Sequence, residues 1–293
     1  MSTAGPGLAS RLVHGVLGGL RPLPQAGRRR LARRPSVARQ SVRIDLPAAP
    51  GSQLAPRPLV LTAPEALALP ALLADGGVAG LDTRALATFL TALEYAPAGG
   101  VLDVGAGLGL FALLAAAYSP RPVHALEPVA DLAHVARQSA ATSRLSVVVE
   151  QRELAGPRPV KSVDVREGAL GHPRAGTRQE QDRPAVVHIG PAADADLVAA
   201  ALHACGDLHP WVLWSTATEQ DAATARDASA HLPDHRVHVV GAADGDPVRT
   251  VLLTPGDPGP GFWQRCEQWH AVLEPALAPA GARPSALAAV ARP

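Results

Sequence analysis

From about residue 82 to residue 254, short apolar runs alternate with stretches whose apolar positions recur at helical spacing. Asp82-Thr83-Arg84 reads as a helix start, because Ala85, Leu86, Phe89, Leu90 and Leu93 follow three and four residues apart. Pro97-Ala98-Gly99-Gly100 breaks that helix, Val101 to Val104 suits a short buried strand, and Phe111 to Tyr118 an apolar helix. The alternation continues with a strand at Pro122 to Leu126, a helix at Asp131 to Ala141 and a strand at Leu145 to Glu150. Beyond a polar Pro/Gly/Arg-rich stretch come a strand at Ala185 to Ile189, a helix at Asp194 to Cys205, a strand at Trp211 to Trp214 and a helix at Glu219 to Leu232. The last runs, Arg236 to Val240 and Val248 to Leu253, are joined only by a short turn containing Asp244-Gly245-Asp246-Pro247.

Strands alternating with helices predict βαβ units, right-handed crossovers and a parallel sheet covered on both faces. A turn of under ten residues joins only antiparallel neighbours, since a parallel crossover needs a dozen or more. The expected fold is therefore α/β, with seven strands, six in βα alternation and the last reversed. Trp211 and Trp214 are read as sharing one face of the fifth strand, as core packing or as the wall of an acceptor pocket.

The flanks lack this periodicity. Residues 1–58 read as a basic, disordered arm, residues 59–273 as the folded domain, and residues 274–293 as an Ala/Pro-rich tail. Charge sharpens the division. The chain of 293 residues has a net charge of +1, but residues 1–50 hold nine Arg and one acid, Asp45, leaving the remainder at −7. Any contact with nucleic acid or an anionic surface is thus expected of the arm and not of the domain. No aromatic residue interleaves those arginines, which argues against a single-strand stacking platform.

A hydrophobic fraction of 47% supports a sizeable core, and 27 Gly with 29 Pro are too few for a collagen-like or wholly disordered chain. Cys205 and Cys266 cannot make a disulfide framework or a four-ligand zinc site; a single bridge is the alternative to the expected pair of buried or idle thiols in a reducing cytoplasm. No apolar window is long enough for a spanning helix. The run Leu12 to Leu17 lacks a clear cleavage site, so a secretory signal is not expected; the Arg-rich, acid-poor leader also resembles a transit peptide.

The informative motif is Asp103-Val104-Gly105-Ala106-Gly107-Leu108-Gly109, directly after a strand and opening a helix. Glycines serve where the backbone turns sharply and where a ligand touches the main chain, and the helix start beyond them favours an anionic group. A dinucleotide fingerprint spaces its glycines as Gly-x-Gly-x-x-Gly, whereas here they fall at 105, 107 and 109. Asp103, two residues before the first glycine, suits a cofactor bearing an ammonium group. Glu127 ends the next strand about 20 residues past the glycines, where an acid accepts both hydroxyls of a ribose.

These residues resemble motif I of the class I S-adenosylmethionine-dependent methyltransferases, whose Rossmann-like sheet has the same seven-strand pattern. Val101 to Phe111, followed by Leu126-Glu127-Pro128, looks more narrowly like the FkbM-type family over roughly residues 82–254. The resemblance implies S-adenosylmethionine as cofactor. Gly105, Ala106, Gly107 and Gly109 would lie along its methionine end, Asp103 near its amino group and Glu127 on its ribose. Glu153, with Glu150 as fallback, would contact the adenine.

The acceptor side departs from the family. Its Lys-Ile-Asp-Val-Glu-Gly pattern is replaced by His188-Ile189-Gly190-Pro191-Ala192-Ala193, so the usual Asp is Gly190. Asp194 and Asp196 read as helix N-terminal charges. His188, at the carboxyl end of the fourth strand, is the candidate catalytic base, with His172 a weaker one. Base methylation is discounted, because Gly190-Pro191-Ala192-Ala193 lacks the acid or amide and the aromatic that hold a flipped base. The expected activity is O-methylation of a small-molecule or sugar-like hydroxyl. The rivals are a cofactor-binding domain that has lost turnover and a nicotinamide-dependent oxidoreductase.

Overall fold

In the computed structural model, the described residues are 39–64, 82–151, 183–190, 193, 198, 201–202, 205, 208–216, 232, 234–240 and 250–277. Asp82 caps the first helix as its side chain suits it to do, accepting hydrogen bonds from the backbone N–H groups of Arg84 and Ala85 at 3.0 and 3.2 Å. Helix α1 (Thr83–Tyr95) is buried continuously from Ala85 to Leu93, so it is covered on both sides. Its C-terminal carbonyls are collected by Arg121, whose guanidinium donates to Leu93, Ala96, Pro97 and Gly99.

The alternation read from the sequence then unfolds as expected: β3 (Gly100–Val104), α2 (Leu110–Tyr118), β4 (Val123–Glu127), α3 (Ala130–Ser143), β5 (Val148–Gln151), β6 (Pro184–Ile189), β7 (Trp211–Ser215), β8 (Arg236–Val240) and β9 (Thr250–Thr254). These seven strands form one sheet in the order β5-β4-β3-β6-β7-β9-β8. β9 runs antiparallel to both β7 and β8, and the other pairs are parallel. Buried side chains on one face of the sheet pack with α1, α2, α3 and a C-terminal helix; those on the other pack with helical Val198, Ala201, Leu202 and Cys205. The mostly parallel α/β sheet with its reversed last strand is the fold that the sequence pattern implied. Both cysteines are free and buried.

Two expectations need correction. Residues 39–58 do not belong to a disordered arm. β1 (Arg39–Ile44) pairs antiparallel with β2 (Leu59–Pro64), and Ile44, Leu46, Leu59 and Leu61 are buried in the main core. The unit that holds these strands begins at Arg39, so the domain begins about twenty residues before the expected boundary at 59. On its other edge β2 meets α3, where Ser143 Oγ accepts from the N–H of Val60 at 2.9 Å and Ser139 Oγ from that of Thr62 at 3.1 Å. The second correction concerns the tryptophans. Three residues apart is an odd step, so the pleat sends them to opposite faces. Trp211 lies 5.1 Å from Phe262, while Trp214 belongs to the core with Val212's face of the sheet; no shared pocket wall exists.

Helix α4 (Gly259–Leu277) was not expected at all, and it extends past the predicted start of the C-terminal tail at 274. Phe262, Cys266, Trp269, Leu273 and Leu277 form its buried stripe, and it packs along α1. Among the described residues, no helix is long and apolar enough to cross a membrane.

The corrected boundary gives a direct test by truncation. Removing residues 1–38 should leave the melting temperature unchanged. Removing residues 1–55 instead strips away Ile44 and Leu46 and uncovers Leu59 and Leu61, a loss of about 3–6 kcal/mol on the scale of a few buried aliphatic side chains. Urea denaturation of the two truncations reads the difference; equal stabilities would return residues 39–58 to the arm.

Candidate cofactor site and a buried hydrogen-bonded chain

Parallel sheets bind ligands where neighbouring strands send their connections to opposite sides, outside the carboxyl ends. Here that point lies between β3 and β6, and the glycine loop leaves β3 at this place. Gly105, Gly107 and Gly109 all have positive φ, at 65°, 57° and 79°. Two adjacent N–H groups, from Gly105 and Ala106, turn onto the carbonyl of Leu126 at 2.9 and 3.1 Å, which lashes the loop to the end of β4. Gly105 has no room for a side chain, since a Cβ there would stand 2.8 Å from that of Ala193. Gly107 differs: among the described residues nothing lies within 4 Å of where its Cβ would be, so this backbone stays open to a close-fitting group.

Glu127, at the end of β4, is only 2% exposed. Its Oε2 accepts from the Gly107 N–H at 2.6 Å and its Oε1 from the Val129 N–H at 2.8 Å. Burial pushes its carboxyl above the ordinary range; the two N–H groups oppose that rise and the nearby charge of Asp103 adds to it. A carboxylate has about four lone-pair positions, so two remain for further donors. Glu127 and the glycine loop are thus brought together as the spacing implied.

Asp103 has both carboxylate oxygens on protein partners. It is fully buried; Oδ2 accepts from the Ala112 N–H at 3.0 Å, tying the first turn of α2, and Oδ1 sits 2.7 Å from His188 Nδ1. Both oxygens face inward to protein partners, so contact with a cofactor ammonium does not follow from this geometry. His188 is 3% exposed, stacked on Phe111 at 3.6 Å between ring centroids, and its Nε2 lies 3.0 Å from Ser215 Oγ. The candidate base therefore has both ring nitrogens engaged.

Asp103, His188 and Ser215 fall on one face of three adjacent strands. Asp103 pairs with His188 across β3 and β6, His188 pairs with Leu213 across β6 and β7, and Ser215 lies two residues beyond. Ser215 escaped the sequence reading; the signal available was a polar residue ending an apolar strand on the His188 face. Glu150 pairs with Leu126 while Glu127 pairs with Gln151, so Glu150 and Glu127 occupy opposite faces. Glu153, His172, Asp194 and Asp196 lie outside the described residues. Ala106 is half-buried in the loop.

No family model matches the chain, and no curated protein matches it. Among solved structures, it is similar to a precorrin-6y C5,15-methyltransferase from Geobacter metallireducens GS-15, with 15% identity, a TM-score of 0.40, and coverage of 58% of this chain and 86% of that one. It is also similar to a ribosomal protein L11 methylase from Lactobacillus delbrueckii subsp. bulgaricus, with 14% identity, a TM-score of 0.40, and coverage of 60% and 80%. A methyltransferase from Pyrococcus furiosus is similar at 13% identity and a TM-score of 0.40, covering 59% and 83%. Likenesses this distant carry no argument about activity. The Rossmann-like fold stands on the strand order itself.

Proposed function

We propose that this chain is an S-adenosylmethionine-dependent methyltransferase of FkbM type, acting in the cytoplasm on a small-molecule or sugar-like hydroxyl. The observation that carries the reading is the open Gly107 backbone beside the buried Glu127 carboxylate, at the switch point of the sheet. These residues fit the cofactor. Gly107 would meet its methionine end, Glu127 would accept from its ribose hydroxyls, and Gly105 and Gly109 hold the loop's shape. When bound, the cofactor supplies an electrophilic methyl group on a sulfonium. The protein's share is then to align the acceptor hydroxyl with that methyl and to remove its proton.

A second reading, a domain that binds the cofactor without turnover, is favoured by one observation. Gly190 stands where the family carries an Asp, and a side chain there would overlap the Gly105 carbonyl oxygen.

Calorimetry with S-adenosylmethionine, S-adenosylhomocysteine and NAD tests the proposal. Binding of NAD with neither methionine compound would overturn it. Glu127→Ala should weaken cofactor binding by about 1–3 kcal/mol, the scale for losing a charged hydrogen-bond partner. A pH series adds a sign. The ionised carboxylate is the form that accepts from a ribose, and burial has raised its pKa. Affinity should therefore be full at alkaline pH and fall on acidification, at a pH above the ordinary carboxylate range. A pH-independent affinity would remove Glu127 from the ribose.

A further inference from the structure

The buried chain of Asp103, His188 and Ser215 is unused by the cofactor reading, and its geometry has a chemistry of its own. The carboxylate of Asp103 is fixed by the Ala112 N–H at Oδ2, and presents Oδ1 to His188 Nδ1 at 2.7 Å. A carboxylate in that position holds the imidazole proton on Nδ1, which leaves the Nε2 lone pair directed at Ser215 Oγ, 3.0 Å away. Phe111 stacked on the ring at 14° and Phe89 edge-on at 6.0 Å keep the imidazole from turning. Each group sits on a strand of one sheet, so the three are held by ladder hydrogen bonds and not by loops. His188 is sealed, but Ser215 ends β7 and is only half-buried. Ser215 is therefore the least buried member of the chain.

We infer that Ser215 is a nucleophile activated by His188 and oriented through Asp103, giving the protein an acyl-ester hydrolase activity separate from methyl transfer. A serine, a base in hydrogen-bond reach and a third group orienting the base form the arrangement that defines such a site, independent of fold and of residue order. In the acylation step the Ser215 Oγ bonds to the ester carbonyl carbon while its proton passes to His188 Nε2. The carbon–oxygen bond to the alcohol then breaks, and the alcohol oxygen takes that proton. Water deacylates the serine by the same route, so the net reaction consumes ester and water and yields acid and alcohol. Phe89, Phe111, Leu213 and Thr250 on this face are uncharged, and the charged Glu127 stands beyond Asp103 at the other end of the chain, so the Ser215 end suits an uncharged acyl group.

The full-length protein treated with a fluorophosphonate probe tests the inference. The expected result is one adduct, mapped by peptide mass to Ser215, with Ser41, Ser139 and Ser143 of the same molecule unmodified as internal controls. Ser215→Ala should take up no probe, and its hydrolysis of p-nitrophenyl acetate should fall to the uncatalysed rate. Absence of an adduct on the folded wild-type protein, modification of the control serines at an equal rate, or undiminished p-nitrophenyl release by Ser215→Ala would each overturn it. Should Ser215→Ala fail to fold, the mapped adduct on wild-type protein still decides. Cofactor calorimetry on the same samples fails or succeeds independently, which separates this activity from the methyltransferase reading.

Discussion

Gly190→Asp, the substitution that would place the family's acid after the fourth strand, lowers stability by about 3 kcal/mol or more. Gly190 donates its N–H to the Val104 carbonyl at 2.8 Å, which presses the end of β6 against the start of the glycine loop. A Cβ at this position would overlap the Gly105 carbonyl oxygen, and a backbone oxygen cannot swing aside as a side chain can. Overpacking of this kind costs about 1–3 kcal/mol, and placing a carboxylate in a buried position without a built partner adds to it. Gly190→Ala carries the overlap without the charge and should lie between the wild type and Gly190→Asp. Urea denaturation orders the three proteins. A Gly190→Asp protein as stable as the wild type would mean that the loop and the strand end are not packed as described.

The other large effect belongs to α4. Trp269→Ala should cost about 3–5 kcal/mol, the range for emptying a buried aromatic site. Trp269 is 1% exposed and stands edge-on to Tyr118 at 5.1 Å. Its indole N–H also donates to Glu94 Oε1 at 2.9 Å, and the same carboxylate takes two hydrogen bonds from Arg265, at 2.6 and 2.9 Å. Trp269→Phe retains most of the packing and loses only the indole donor, for about 1 kcal/mol. If thermal melts place both variants at the same midpoint, the hydrogen bond and not the packing holds α4 on α1.

The periodic middle of the chain was legible because both of its signals are local. Helical spacing at Ala85, Leu86, Phe89, Leu90 and Leu93 and the short apolar strands need no knowledge of partners, and the short final turn fixes the antiparallel strand. The same kind of signal existed for β1, where Val42, Ile44 and Leu46 alternate with Ser41, Arg43 and Asp45. It was outweighed by the arginine-rich composition around it, a case of charge masking pleat. In α4 the stripe of Phe262, Cys266, Trp269, Leu273 and Leu277 is equally periodic, but its last turn, beyond residue 273, is overridden by the Ala/Pro-rich composition that reads as a tail. Of the site, the loop and Glu127 were readable from spacing because one crossover separates them. The meeting of Asp103, His188 and Ser215 was not, since it depends on strand order across four crossovers. No pattern along the chain states which oxygen of Asp103 faces which nitrogen.

β2 is a strand with two unlike neighbours, β1 on one side and α3 on the other. Two residues of strand advance about 6.8 Å, and four residues of helix advance about 6.0 Å. Ser139 and Ser143, four apart, can therefore stand in for a partner strand opposite Thr62 and Val60, two apart. The two repeats are nearly commensurate, drifting by about 0.8 Å per rung on those same figures. Hydroxyl rotation absorbs that step, and no third rung can form because the next positions along the strand in either direction are Pro58 and Pro64, which have no N–H to donate. The helix thus works as a vernier that reads two divisions of the strand and no more, which limits how far β2 can be zipped to α3.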